Sequence, residues 1–155
     1  MADCVIPEGY KETALGVIPK EWEVKRLGDV TNIFSGTTPS RENELFFSGG
    51  VIPWVKTTDL NNGYLTDTEE RITELALKST TLKIFPEGTV LVAMYGGFNQ
   101  IGRTAILGIK ATINQALSAL VPNNMKISEY FLLNWLLFSL LKYYTSMLHF
   151  KVYVI

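Results

Sequence analysis

The chain lacks the side chains on which most metal sites and disulfide frameworks depend. Its 155 residues include one cysteine, Cys4, and one histidine, His149, near opposite ends of the sequence. Zinc sites and thiol–imidazole catalysis need several such side chains together, so we expect no metal site and no thiol nucleophile. A lone cysteine cannot build a disulfide framework, which favours a reducing, cytoplasmic setting.

Common catalytic and nucleotide-binding signatures are also missing. The sequence has no HExxH, no GxxxxGK[ST] and no GxGxxG,. Four acidic residues between positions 59 and 70 are more typical of solvated caps than of a catalytic carboxylate pair. We therefore expect no catalytic residues. The Gly96-Gly97 pair leaves open a phosphate site for a small ligand.

Long apolar runs and a strong excess of positive charge are absent too. The apolar run at residues 130–141 is shorter than the roughly 20 residues that cross a bilayer. We expect no membrane segment, although the tail from Tyr143 is apolar as well. The net charge of −1 is not the overall signature of a nucleic-acid-binding domain,. Residues 84–155, however, carry five basic and two acidic groups, so a local basic face is possible,.

The periodicity of the remaining sequence predicts an α+β fold with a twisted sheet of mixed or antiparallel strands. Strands are expected at residues 18–27, 51–55, 89–94, 104–107 and 111–121. Thr73 is placed to cap a short internal helix over residues 74–79, and Ser128 to cap a C-terminal helix beginning at Glu129. That last helix is apolar on nearly every side, so it must be buried or partnered.

The loop at residues 95–103 has the richest functional chemistry. Its glycines permit a sharp turn, and its other side chains can stack, form paired hydrogen bonds or bind phosphate. A second loop at residues 35–41 is rich in hydroxyl groups, and Lys56 and Thr57 follow a buried strand. The predicted DNA-contacting residues are Thr37, Thr38, Ser40, Arg41, Lys56, Thr57, Tyr95, Gly96, Gly97, Phe98, Asn99, Gln100 and Arg103. Asn114, in an apolar strand, is expected to brace the 95–103 loop, with direct base contact as the alternative.

Six ordered motifs resemble a target recognition domain of the specificity (S) subunit of type I restriction-modification systems. The resemblance covers roughly residues 16–140. Its motifs are Ile18-Pro19-Lys20-Glu21-Trp22, Leu27-Gly28-Asp29-Val30, Ser35-Gly36-Thr37-Thr38-Pro39-Ser40-Arg41, Ile52-Pro53-Trp54-Val55-Lys56-Thr57-Thr58-Asp59-Leu60, Tyr95-Gly96-Gly97-Phe98-Asn99-Gln100-Ile101-Gly102-Arg103 and Ile113-Asn114-Gln115-Ala116.

The resemblance implies a non-enzymatic module that reads one half of a bipartite site in double-stranded DNA. Modification subunits would methylate adenine with S-adenosylmethionine, and restriction subunits would use ATP and Mg²⁺, so this chain needs no cofactor. The expected organisation is a flexible leader at residues 1–17, a recognition domain at 18–127, and the start of a truncated spacer helix with an apolar tail at 128–155. The alternative is a remnant or silent cassette that no longer binds DNA and acts only as an interaction fragment. An exposed apolar helix would favour self-association.

Overall fold

The computed structural model describes residues 6–97, 99–123 and 127–145. Its elements confirm the α+β prediction. In chain order they are β1 (Tyr10–Thr13), β2 (Gly16–Pro19), α1 (Leu27–Val30), β3 (Thr31–Ser35), β4 (Ile52–Val55), β5 (Tyr64–Leu65), β6 (Glu70–Ile72), α2 (Glu74–Ser79), β7 (Val90–Ala93), β8 (Thr104–Leu107), β9 (Thr112–Ile113), β10 (Leu117–Pro122) and α3 (Glu129–Thr145). Single 3₁₀ turns form at Glu44–Phe46 and Thr57–Asp59.

The strands form a five-stranded sheet, a three-stranded sheet and a separate hairpin. The large sheet has the order β3-β10-β7-β8-β5, and the small sheet has the order β6-β4-β9. Neighbours pair antiparallel except at β5–β8 and β4–β9, which are parallel. The sheet is therefore mixed, as the sequence predicted.

The five-stranded sheet is covered on both faces, which explains why β7 and β8 have no polar face. All four residues of each strand are buried. Because side chains alternate along a strand, Val90 and Val92 face one side and pack with Leu132 of α3,. Leu91 and Ala93 face the other side and join a cluster that includes Val55 of the small sheet. The small sheet is in turn covered by α2, through Ile72 and Ala76.

Both predicted helix caps are present. The Thr73 hydroxyl accepts a hydrogen bond from the Ala76 amide at 3.3 Å, and the Ser128 hydroxyl accepts one from the Phe131 amide at 3.1 Å. Each cap satisfies an amide that the first turn of a helix leaves without an intrahelical acceptor. The apolar helix α3 buries only one face. Leu132 and Leu133 are covered by the sheet, whereas the side chain of Phe138 is 59% exposed.

Two strand predictions were wrong. The alternating residues 22–27 form no extended strand; Trp22 makes an edge-on ring contact with Phe131 of α3, at 6.1 Å between centroids. The strand expected at residues 111–121 is broken at 114–116, and its halves, β9 and β10, join different sheets. The hairpin of β1 and β2 occupies part of the segment predicted as a flexible leader, where its paired backbone replaces a free chain.

Candidate nucleic-acid interface

Three segments with predicted DNA-contacting residues meet at the turn between β9 and β10, residues 114–116, which we call the central turn. The Thr37 amide donates to the Ile113 carbonyl at 3.0 Å, beside the turn. The Asn114 amide donates to the Val55 carbonyl at 2.9 Å, just before Lys56. The Met94 amide donates to the Ala116 carbonyl at 2.8 Å, immediately before the 95–103 loop. Backbone bonds thus hold three segments, far apart in sequence, at one end of the two sheets.

The first of these loops passes so close to the central turn that only glycine fits. A Cβ atom on Gly36 would lie 2.1 Å from the carbonyl oxygen of Asn114, well inside van der Waals contact. The next residue is fixed as well, because the indole nitrogen of Trp54 donates to the Thr37 carbonyl at 3.2 Å. The start of the loop at residues 36–41 is therefore held against the central turn and Trp54.

The hydroxyl groups of that loop already have protein partners. The Thr37 hydroxyl bonds the Thr81 hydroxyl at 2.9 Å, and the Thr38 hydroxyl donates to the side-chain oxygen of Gln115. Ser40, in contrast, is exposed at the loop surface. Sequence reasoning missed Thr81 because it lies in a different segment with no motif of its own.

The 95–103 loop is closed by its own polar side chains. The side-chain oxygen of Gln100 accepts from the Gly97 amide at 3.1 Å and from the Thr57 hydroxyl at 3.2 Å. Arg103 donates from Nε to the Asn99 carbonyl at 2.9 Å. Gln100, Arg103 and the buried Thr57 therefore support the loop, and their contact with DNA stays a prediction.

Asn114 supports the central turn and not the loop directly. Its side-chain oxygen accepts from the Ala116 amide at 3.1 Å, a local turn bond,. The bond between the Ala116 carbonyl and the Met94 amide joins the central turn to the chain just before the 95–103 loop. The break between β9 and β10 turns the Asn114 side chain back onto its own backbone.

The two predicted phosphate-binding cations lie in an ion-pair network. Arg41 binds Glu70 through both terminal nitrogens, at 2.6 and 3.2 Å, and its guanidinium lies over the ring of Trp54, 4.9 Å from the centroid. Lys56 donates to Glu69 at 2.8 Å and to Glu70 at 2.6 Å. Two cations thus face two carboxylates, so the network carries little net charge.

These contacts shift the pKa values of the network. The hydrogen bond from Arg41 lowers the pKa of Glu70 despite partial burial, and the bond from Lys56 lowers it further. Partial burial disfavours the charged form of Lys56, but its bonds to Glu69 and Glu70 outweigh that effect and raise its pKa. Both groups are charged at neutral pH, and a phosphate that engaged either cation would compete with Glu70.

A family model described as the type I restriction modification DNA specificity domain matches residues 19–152. The chain belongs to this family. It is 39% identical over 124 residues to the type I restriction enzyme MjaIX specificity subunit of Methanocaldococcus jannaschii, and 26% identical over 122 residues to the EcoR124I/EcoR124II specificity subunit of Escherichia coli. Each match covers 78% of this chain, but only 28% and 30% of those relatives.

Solved structures agree with the specificity-domain assignment. The chain is similar to the HsdS subunit from Thermoanaerobacter tengcongensis, with a TM-score of 0.60 and 25% identity over 83% of this chain and 30% of that one. The S subunit from M. genitalium, at 18% identity and a TM-score of 0.51, shares the fold. The resemblance read from the six sequence motifs is confirmed.

A sizeable concave surface of this specificity domain lies away from the three loops. An open cleft of about 1150 Å³ lies at the opposite end of the five-stranded sheet, beside the start of α3. Its lining includes Glu87 and Glu129, whose negative charge is unfavourable for a DNA backbone,. The loop end is therefore the better candidate interface.

Within the residues that the structure describes, no cluster of histidine, cysteine and acidic side chains is arranged to hold a metal ion. Over that same part of the chain, no helix has the length and hydropathy needed to cross a membrane. Phe98 lies outside the described residues, as do the apolar tail from Ser146 and its histidine.

Proposed function

We propose that this chain reads one half of a bipartite target in double-stranded DNA, with the loop end of the sheets as its contact surface. The observation that carries the proposal is the convergence of three separate loops on the central turn, in a chain that belongs to the DNA specificity family. Backbone hydrogen bonds position these loops whatever side chains the loops carry. Such an arrangement suits a surface that must discriminate DNA sequences.

In this proposal the chain has no catalytic role. Modification and restriction subunits would bind S-adenosylmethionine, ATP and Mg²⁺ and carry out methylation and cleavage, in the cytoplasm where the DNA lies. The relatives' names support a specificity function, and their greater length indicates that further segments act with such a domain in those proteins. A remnant without DNA binding is disfavoured by the intact arrangement of the loops.

The proposal gives the ion-pair network a defined part. Arg41 is exposed and Lys56 lies beside the 95–103 loop through its neighbour Thr57, so both can reach a phosphate that displaces Glu70. A phosphate offers Arg41 the same two-oxygen geometry that the Glu70 carboxylate offers now. Glu70 then competes with DNA phosphates for Arg41 and Lys56, and this competition weakens non-specific DNA binding.

The test is a titration of the purified chain with duplex DNA at several salt concentrations, with and without a modification subunit. The DNA is first selected from a random duplex library. Binding to the selected duplex should weaken as salt rises, and its sequence preference should persist. If neither mixture binds any duplex, the proposed function is refuted.

A matched pair of charge variants locates the surface. Glu70→Gln removes the competing charge at the loop end, and Glu87→Gln removes one charge at the far end. We expect Glu70→Gln to raise the affinity for all duplexes and to steepen the salt dependence by about one phosphate contact, while Glu87→Gln has a much smaller effect. If the two variants change the affinity for duplex DNA equally, the loop end is not the contact surface.

We also propose that α3 mediates self-association or contact with another helix. Tyr130 and Phe138 are 55% and 59% exposed on this largely apolar helix. Phe138→Glu should lower the fraction of dimer in analytical ultracentrifugation. Monomeric wild-type protein at all concentrations would refute the self-association part.

A further inference from the structure

The start of the 95–103 loop exposes apolar side chains, whereas Gln100 and Arg103 make hydrogen bonds within the loop. Met94, immediately before the loop, is 57% exposed, and Tyr95, its first residue, is 50% exposed. Gln100 and Arg103, the residues that would be expected to read base edges by hydrogen bonding, bind the loop itself. Asn99, which also carries a side-chain amide, is exposed.

The inward position of Gln100 is built into the loop. Its oxygen accepts two hydrogen bonds, one from the Thr57 hydroxyl and one from the Gly97 amide. Gly96 has φ of +148°, and a Cβ atom there would lie 2.8 Å from the same oxygen. The glycine thus leaves the space that the Gln100 side chain fills. Turning Gln100 outward to a base would break both hydrogen bonds and leave that space empty.

We propose that Met94 and Tyr95 are specificity-determining residues that read DNA by apolar contact, and that Gln100 is a positioning residue. The inference rests on the proposed function and deepens it. In the major groove the apolar feature that distinguishes one base is the 5-methyl group of thymine. Two large apolar side chains suit that group, and the bond from the Met94 amide to the central turn holds the backbone that carries them.

The decisive experiment removes the methyl group from the DNA. Each thymine of the selected duplex is replaced in turn by deoxyuridine, which keeps base pairing and removes only the 5-methyl group. Wild-type protein should lose about fourfold in affinity at one or more positions, the equivalent of exposing one buried methyl group. That loss should disappear in Met94→Ala or in Tyr95→Ala, because the side chain that contacted the methyl group is gone.

Leu75→Ala provides a matched control, since Leu75 is 46% exposed on α2, outside the loop. It should keep the full sensitivity to deoxyuridine. Binding by each variant is measured at a temperature well below its own melting temperature. A folding defect is then not mistaken for a lost contact. If wild-type protein binds a selected duplex but deoxyuridine has no effect at any position, or if the effect survives in both loop variants, apolar reading is overturned while the DNA-binding function stands.

The role of Gln100 is tested separately by rescue. Gln100→Glu keeps an oxygen that can accept from Thr57 and Gly97, but it removes the amide donors that a base contact would use. The positioning role predicts that Gln100→Glu selects the same DNA sequence as wild type, whereas Gln100→Ala weakens binding and speeds hydrogen exchange at the Gly97 amide. A changed base preference in Gln100→Glu would assign direct reading to Gln100.

Discussion

Gly36→Ala should be the most damaging small substitution at the loop end. The added methyl group would lie 2.1 Å from the Asn114 carbonyl oxygen and 2.4 Å from that of Ile113. Backbone atoms cannot rotate away as a flexible side chain can, so the 36–41 loop must separate from the central turn. That movement stretches the bonds from the Thr37 amide to Ile113 and from the Gly36 amide to Leu117, at 3.0 and 3.3 Å.

The expected cost follows from these contacts. Overpacking costs about 1–3 kcal/mol, and two weakened hydrogen bonds add about 1 kcal/mol each. A loss of roughly 3–5 kcal/mol in the free energy of unfolding should lower the melting temperature by roughly 6–20 °C in a domain of this size. Urea denaturation and a thermal melt followed by circular dichroism measure both quantities.

Gly28→Ala is the control for the loss of a glycine. Gly28 lies in α1, and a Cβ atom there would have no atom within 4 Å. Neither Gly28 nor Gly36 needs the left-handed conformation, so alanine brings no backbone strain at either position. Gly28→Ala should be neutral or stabilising by up to about 1 kcal/mol. If Gly36→Ala has the same melting temperature as Gly28→Ala, the close approach at the central turn is refuted.

Three further predictions concern stability. The lowered pKa of Glu70 means that its ion pairs stabilise the fold above the usual glutamate pKa of 4.5 and are lost as pH falls through the lowered value,. Glu70→Gln should therefore cost about 1 kcal/mol at pH 7 in urea titrations, with the difference from wild type shrinking in acid; a constant difference would contradict the ion-pair origin. Ser128→Ala should cost about 1 kcal/mol in urea denaturation by removing the cap on the Phe131 amide, and an unchanged midpoint would count against the cap,. Asn114→Ala should cost about 1–2 kcal/mol by freeing the Ala116 amide, and the exchange rate of that amide should rise; unchanged exchange would exclude the turn bond,.

The features that the sequence predicted correctly depend on short-range patterns. The caps at Thr73 and Ser128 act within three residues, and the apolar runs at β7 and β8 fix the ends of the 95–103 loop within one hairpin. The order of six motifs was enough to indicate the family. The prediction at residues 111–121 failed because nothing local distinguishes one long strand from two short ones that pair with different sheets.

The sequence by itself determined the α+β class, the position of the loops, the lack of a zinc-ligand set and the DNA specificity family. Only the tertiary structure decided which side chains those loops display. Gln100 is turned inward by Thr57, 43 positions away, and Arg41 is paired with Glu70, 29 positions away. The physical reason is that hydrogen bonds and ion pairs select partners by proximity in space. Residue types can therefore propose a contact surface, but the fold decides which of them are engaged within the protein and which are exposed.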